Sequence, residues 1–260
     1  MKIAIVTGAS SGMGKDFARK LDNEKLDEIW VVARSENGLN DLKNDLKTKT
    51  KILTYDLSNL DNIDEIQKEI EKEKATVMWL VNAAGFGKFN SWDNIKTETS
   101  LNMIDLNCKA VVKLTDVCIP NMIEGSRIVN FASVAAFQPV PYANIYAATK
   151  AFLLSYSRSL SYELKSRKIS VTAICPYWTK TKFFDRAVSQ ENKVVKKYVV
   201  MYDSEKVVNK AYKDALKRKR YSIYGFISNA QVFLTKLFPA SFIDYVWLKQ
   251  QKLDKMPKNK

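Results

Sequence analysis

Tyr146 and Lys150 stand four residues apart in the run IYAATKAF. If that run is helical, the two side chains share one face, one turn apart. An ammonium beside a phenol favours the phenolate and draws its pKa down from about 10 toward working pH. Such a phenol can pass a proton to or from a substrate oxygen, which is general acid–base work done without an imidazole. The point matters because the chain contains no histidine. That absence excludes a Ser-His-Asp triad, a Cys-His pair and a His-ligated metal. Cys108, Cys118 and Cys175 have no CxxC spacing. No metal site or disulfide framework is therefore expected, and a reducing compartment is.

A second group with chemical content lies at the start of the chain. The apolar run of residues 2–7 (KIAIVT) leads into Thr7-Gly8-Ala9-Ser10-Ser11-Gly12-Met13-Gly14. Glycines between a buried strand and a helix let the backbone approach a pyrophosphate closely. The helix N-terminus then faces the anion with free N–H groups. A tight strand-to-helix turn without a ligand would have a similar spacing.

Positioning these groups requires a scaffold, and the hydropathy pattern supplies one. Short apolar runs at 2–7, 28–33, 50–55, 76–81, 126–131 and 169–175 read as buried strands. Between them, apolar residues recur at helical spacing: Phe17, Ala18 and Leu21; Leu39, Leu42 and Leu46; Ile63, Ile66 and Ile70. A long helix is expected over 99–122, ending near Pro120, and another over 145–165 with Phe152, Leu153, Tyr156, Leu160 and Leu164. This alternation predicts an α/β fold, a doubly wound, Rossmann-like parallel sheet. It is expected as a single domain over residues 1–225. Residues 226–260 are expected to form a helical C-terminal extension, basic and aromatic, packed on or near the substrate side.

With 260 residues, 46% of them hydrophobic, the chain can bury a substantial core and is too apolar to be disordered. Its net charge of +14 is uneven. Residues 1–192 carry 26 basic and 23 acidic side chains, whereas residues 193–260 carry 16 and 5. That last quarter is also rich in Phe, Tyr, Trp and Leu, and ends with Lys249, Lys252, Lys255, Lys258 and Lys260. Bulky apolar content suits packing or lipid better than a phosphate groove, so no nucleic-acid partner is expected. Peripheral membrane contact through the extension is one expectation; a substrate lid and a subunit contact are the others. No stretch reaches the about 18 apolar residues of a spanning helix, and the opening MKIAIVTG is too short for a signal peptide. A cytoplasmic location, with peripheral membrane contact as the variant, is expected.

Taken together, the motifs resemble the short-chain dehydrogenase/reductase family over about residues 2–225. The glycine spacing is TGxxxGxG. Asn82-Ala83-Ala84-Gly85 resembles the family's NNAG segment, with Ala at the second position. Asn107 lies on the following helix, Ser133 follows the fifth strand, Tyr146 and Lys150 form YxxxK thirteen residues after the serine, and Pro176 follows the sixth strand. The resemblance implies hydride transfer between a nicotinamide cofactor and a ketone or secondary alcohol. Tyr146 would be the proton donor and Ser133 would hydrogen-bond the substrate oxygen. Lys150 would hold the nicotinamide ribose, and Asn107 a water that relays protons to it. The cofactor would lie against Gly8, Ser10, Ser11, Gly12, Met13, Gly14, Asp56, Leu57, Asn82, Ala83, Gly85, Pro176, Thr179 and Thr181, with Tyr146 and Lys150. A homo-oligomer, dimer or tetramer, is implied through the two long helices.

The second strand ends Val31-Val32-Ala33-Arg34. An acid at this strand end would accept hydrogen bonds from a ribose 2′-OH and repel a 2′-phosphate. Ala33 occupies the acidic position, and Arg34 offers planar charged donors suited to phosphate. NADP(H) is therefore expected over NAD(H); Glu36 is the competing acid if the strand end shifts. On the substrate side, Phe86, Val134, Phe137, Tyr177, Trp178 and Phe183 predict a hydrophobic pocket for a steroid-like or fatty-acyl carbonyl or alcohol. Tyr177 departs from the family pattern, in which glycine is common after the proline. The alternative is an NADP-binding regulatory or scaffold protein without catalysis.

Overall fold

The computed structural model describes residues 1–188 and 194–254; Lys255, Lys258 and Lys260 lie outside them. In chain order the main elements are β1 (Lys2–Thr7), α1 (Gly12–Leu21), β2 (Glu28–Ala33), α2 (Glu36–Asp45), β3 (Thr50–Thr54), α3 (Asp61–Lys72), β4 (Thr76–Asn82), α4 (Thr97–Ile104) and α5 (Ala110–Cys118). There follow β5 (Arg127–Phe131), α6 (Asn144–Glu163), β6 (Ser170–Ile174), β7 (Thr179–Lys180), α7 (Phe183–Ala187), β8 (Tyr202–Asp203), α8 (Ser204–Leu216), β9 (Tyr221–Ser222), α9 (Phe226–Leu237) and α10 (Ala240–Gln251).

Seven strands form one parallel sheet in the order β3-β2-β1-β4-β5-β6-β9. The strand order reverses between β1 and β4, so a crevice opens above their C-terminal ends. The period-two alternation of each strand divides the core between two faces. Ile3, Ile5, Trp30 and Val32 pack with Ile63, Ile66 and Ile70 of α3 and with Leu114 and Leu160. Ala4, Val6, Ile29 and Val31 pack instead with Phe17 and Leu21 of α1, Leu39 and Leu42 of α2, and Val208 and Ala211 of α8. Both faces are therefore covered by helices, and a near-continuous apolar strand such as β1 is the consequence.

The structure departs from the expected elements in three places. The helix expected over 99–122 is broken into α4 and α5 by a wide π-type turn at Asp105–Lys109, which carries the wholly buried Asn107. Such turns occur frequently at functional sites. The final strand, β9, has no signature in the sequence, because only two residues of it pair with β6 and they follow the charged run Lys217–Arg220, which has no alternation. Helices α7 and α8 were likewise not foreseen. The segment beyond residue 225 folds into α9 and α10.

Candidate functional site

The turn after β1 brings backbone closer to neighbouring backbone than a side chain would allow. Gly8 (φ +65°) and Gly12 (φ +55°) take left-handed conformations. A Cβ on Gly8 would lie 2.8 Å from Ala84 N. The Thr7 hydroxyl ties this turn to the end of β4, accepting from Ala83 N at 3.1 Å and Ala84 N at 3.0 Å. The two strand ends at the switch point are thus held at a fixed spacing.

A cavity of about 470 Å³ runs from this turn across the strand ends to α6. Most of the expected residues line it: Gly8, Ser10, Ser11, Gly12, Met13, Gly14, Arg34, Asp56, Leu57, Ala83, Gly85, Phe86, Ser133, Val134, Tyr146, Lys150, Pro176, Tyr177, Trp178, Thr179, Thr181 and Phe183. Glu36 does not line it, although its neighbours Arg34 and Ser35 do. Arg34 is half-exposed and pairs with Asp56, Nη1 to Oδ2 3.6 Å. Burial works against the Asp56 charge, but hydrogen bonds from Ser58 and the Arg34 charge outweigh it and hold the carboxyl below its ordinary range.

Three expected residues lie off the cavity. Asn82 is buried, and its amide donates to Thr115 Oγ1 (3.3 Å) and Asn130 Oδ1 (2.8 Å). Asn130 in turn donates to Ser157 Oγ at 2.9 Å. The Asn82 side chain therefore staples β4 to β5 and α5, and Asn130 carries the link on to α6. Asn107 spends its amide on the Phe86 backbone and the Thr149 hydroxyl: Oδ1 accepts from Phe86 N (3.1 Å), and Nδ2 donates to Phe86 O (2.9 Å) and Thr149 Oγ1 (3.1 Å). It stands behind Gly85, whose added Cβ would meet Asn107 Oδ1 at 2.9 Å and Lys150 Nζ at 3.6 Å. Phe137 turns away toward β9, its ring 6.5 Å from that of Tyr221, because the tight turn Val134–Phe137 packs against the cluster of Ile223 and Val232.

The reacting end is built on α6. Tyr146 sits in its first turn, and its ring packs edge-on against Phe89 and tilted against Phe183, both at 5.5 Å. Lys150 follows one turn later and donates to Phe131 O at 2.6 Å. Its ammonium lies 5.7 Å from the Tyr146 ring centroid. Ser133 caps the tight turn after β5, accepting from Ala135 N at 3.1 Å. Burial pushes the Tyr146 phenol up to about 12, with the Ser133 side chain pulling the other way. Burial pushes Lys150 down to about 8. The depression of the Tyr146 pKa expected from Lys150 is thus not what the pair produces here. Removal of both groups from water dominates, since desolvation disfavours each charged form.

Several lining residues carried no sequence signal. Phe89, Val195, Gln231, Trp247 and Gln250 close the apolar end, and nothing local to α10 says that Trp247 turns inward. Arg186 of α7 stacks on Phe86 with its guanidinium 3.6 Å from the ring centroid. It reaches the Arg34 end only because the segment after β6 folds back over the turn, where Thr181 meets Gly12.

Residues 2–192 match the short chain dehydrogenase family. The chain is 33% identical over 177 residues to an uncharacterized oxidoreductase of Staphylococcus epidermidis, an alignment covering 67% of this chain and 76% of that protein. It is 34% identical over 193 residues to a very-long-chain 3-oxoacyl-CoA reductase of Mus musculus, covering 69% of this chain and 60% of that protein. The fold is similar to that of a short-chain dehydrogenase from Sphingobium yanoikuyae in complex with NADPH, with a TM-score of 0.75 and 24% identity over 100% of this chain and 98% of that one.

Proposed function

Because the chain belongs to the short-chain dehydrogenase/reductase family of oxidoreductases, we propose that it interconverts a hydrophobic ketone and its secondary alcohol with NADP(H). The observation that carries this reading is that the glycine turn, Ser133, Tyr146 and Lys150 line one continuous cavity whose far end is walled by Phe89, Phe183, Trp178 and Trp247. The glycine turn fits a dinucleotide: Gly8, Gly12 and Gly14 line the cavity at the N-terminus of α1, and Gly8 and Gly14 pack so closely on neighbouring backbone that no side chain could stand there. When bound, the cofactor supplies or accepts the hydride. Gly8, Gly12 and Gly14 would take its pyrophosphate, Arg34 its 2′-phosphate, and Lys150 its nicotinamide ribose.

The remaining chemistry belongs to the chain. Tyr146 holds its proton through neutral pH and can give it to a carbonyl oxygen; Ser133 holds that oxygen in place. The Lys150 charge stabilises the phenolate left behind, and Asn107 keeps α6 aligned through Thr149. The aromatic wall of the cavity, Phe89, Trp178, Phe183 and Trp247, supports a lipophilic substrate over a small acid. Self-association through the α4–α5 segment and α6, on which Leu101, Phe152 and Tyr162 are exposed, is part of the same proposal. A screen of NADPH consumption across steroid, acyl and aromatic ketones tests the reading. No oxidation of NADPH with any of them would sink it.

Arg34→Ala is expected to cost NADPH about 1.5–3 kcal/mol of binding, about ten- to a hundredfold in kcat/KM, and to leave NADH nearly unaffected. A wild-type kcat/KM higher with NADH would reverse the cofactor assignment. The pH profile follows from Lys150. Tyr146, at about 12, stays protonated, so the rate of ketone reduction should be level through neutral pH. It should fall above about pH 8 as Lys150 loses its proton and the phenolate loses its counter-charge. A rate that instead keeps rising through that range in the reductive direction would contradict this assignment.

A further inference from the structure

Helices α9 and α10 bury polar residues beside Val232 and Trp247 and leave apolar residues facing outward. In α9 the wholly buried residue is Ser228, with Val232 beside it and Gln231 in the cavity wall. Its outward face carries Phe226 (87% exposed), Ile227, Phe233 and Leu237 (60% each) and Leu234. In α10 Gln251 is wholly buried, clamping the 196–197 backbone, while Phe242, Tyr245 and Val246 point outward. A helix that only covers a core does the reverse. The two outward faces are joined across Pro239, where the Phe238 and Phe242 rings lie 5.0 Å apart. Contiguous exposed apolar surface of this kind marks a contact with something.

The fringe of the patch shows with what. Lys236, Lys249 and Lys252 are exposed, and none of them forms an ion pair among the described residues. They belong to the segment 193–260, which carries 16 basic and 5 acidic residues. A second copy docked on this face about a two-fold axis would set one strongly basic segment against another. An anionic lipid surface accepts both features: aromatic and aliphatic side chains enter the headgroup–acyl boundary, and the lysines meet the lipid phosphates.

We propose that the α9–α10 face docks the protein peripherally on an anionic lipid bilayer. Trp247 and Gln250, on the inner side of α10, line the cavity, so docking brings the cavity wall within about 10 Å of the membrane, one helix diameter. Delivery of a lipophilic substrate from the bilayer then follows, a step that rests on the function proposed above; the docking itself does not.

The test is sedimentation of the full chain with phosphatidylcholine vesicles and with phosphatidylcholine/phosphatidylglycerol vesicles. Wild type is expected to pellet with the anionic vesicles, less with the neutral ones, and less again when salt is added. The variant Phe233→Glu, Leu237→Glu, Phe242→Glu alters only exposed positions. It should lose vesicle partition about tenfold or more, while keeping its thermal midpoint and its turnover of a water-soluble ketone without vesicles. Wild type remaining in the supernatant with anionic vesicles would overturn the proposal, as would a folded variant that still pellets. So would a dimer of the wild type that the variant dissolves while vesicle binding is absent, because the occupant would then be a second copy. If the variant does not fold, the charge and salt dependence of the wild type still decides. Turnover without vesicles reads the enzymatic assignment separately.

Discussion

Tyr146→Phe is expected to lower kcat for ketone reduction by about 10²–10⁴-fold, the range a positioned general acid contributes. The ring remains, so its packing against Phe89 and Phe183 is retained and α6 should stay in place. Only the hydroxyl is lost, with its proton and its interaction with Ser133. Cofactor affinity should therefore change little, and a fluorescence titration with NADPH alongside the rate measurement separates the two effects. A variant that keeps the full rate would remove Tyr146 from the mechanism. A wild type that binds NADPH but reduces no ketone would instead favour the regulatory or scaffold reading.

Gly14→Ala is the second large effect, and it acts through backbone. A Cβ at this position would stand 2.8 Å from the Gly8 carbonyl carbon and 3.1 Å from the Thr7 carbonyl oxygen. Neither neighbour is the end of a flexible side chain, so relief requires α1 to move away from the end of β1. Such overpacking costs about 1–3 kcal/mol and sometimes more. The same movement spoils the approach of the helix N-terminus to a pyrophosphate, so NADPH affinity should fall together with the thermal midpoint. Gly125→Ala is the control. Gly125 also has a positive φ, +88°, but a Cβ there would meet nothing within 4 Å. It should lose only the about 1–2 kcal/mol of left-handed backbone strain and leave cofactor binding intact. If Gly14→Ala bound NADPH as tightly as wild type, the glycine turn would not be the cofactor cradle.

Much of the fold was legible because its signals are local. Ile63, Ile66 and Ile70 are a helix face wherever that segment sits, and the run KIAIVT is a buried strand by its continuity. Strand β9 was not legible, since its two paired residues are selected by the free edge of β6 rather than by their own pattern. The helical break at Asp105–Lys109 was hidden for a similar reason. Asn107 turns inward to meet the backbone of Phe86 and the hydroxyl of Thr149, partners 21 and 42 residues away. Asn82 and Phe137 show the converse. Their positions in the motif order pointed to the cavity, but Asn82 is held by Thr115 and Asn130 and Phe137 by the cluster beneath β9.

The amino-acid sequence by itself determined which chemistries were open: no histidine, a tyrosine and a lysine one helical turn apart, glycines at a strand end, and an arginine beside an alanine where an acid would favour a bare ribose. These follow from residue type and short spacing, which covalent order alone sets. Only the tertiary structure decided the electrostatics and the outward surface. Desolvation by the packing around α6 leaves Tyr146 near 12 and Lys150 near 8, because desolvation depends on what packs around a group and not on its neighbours in the chain. The facing of α9 and α10 was likewise settled by packing. An apolar helix can turn either face to the body, and here Gln231, Trp247 and Gln251 found hydrogen-bond partners inside while the phenylalanines were left outside.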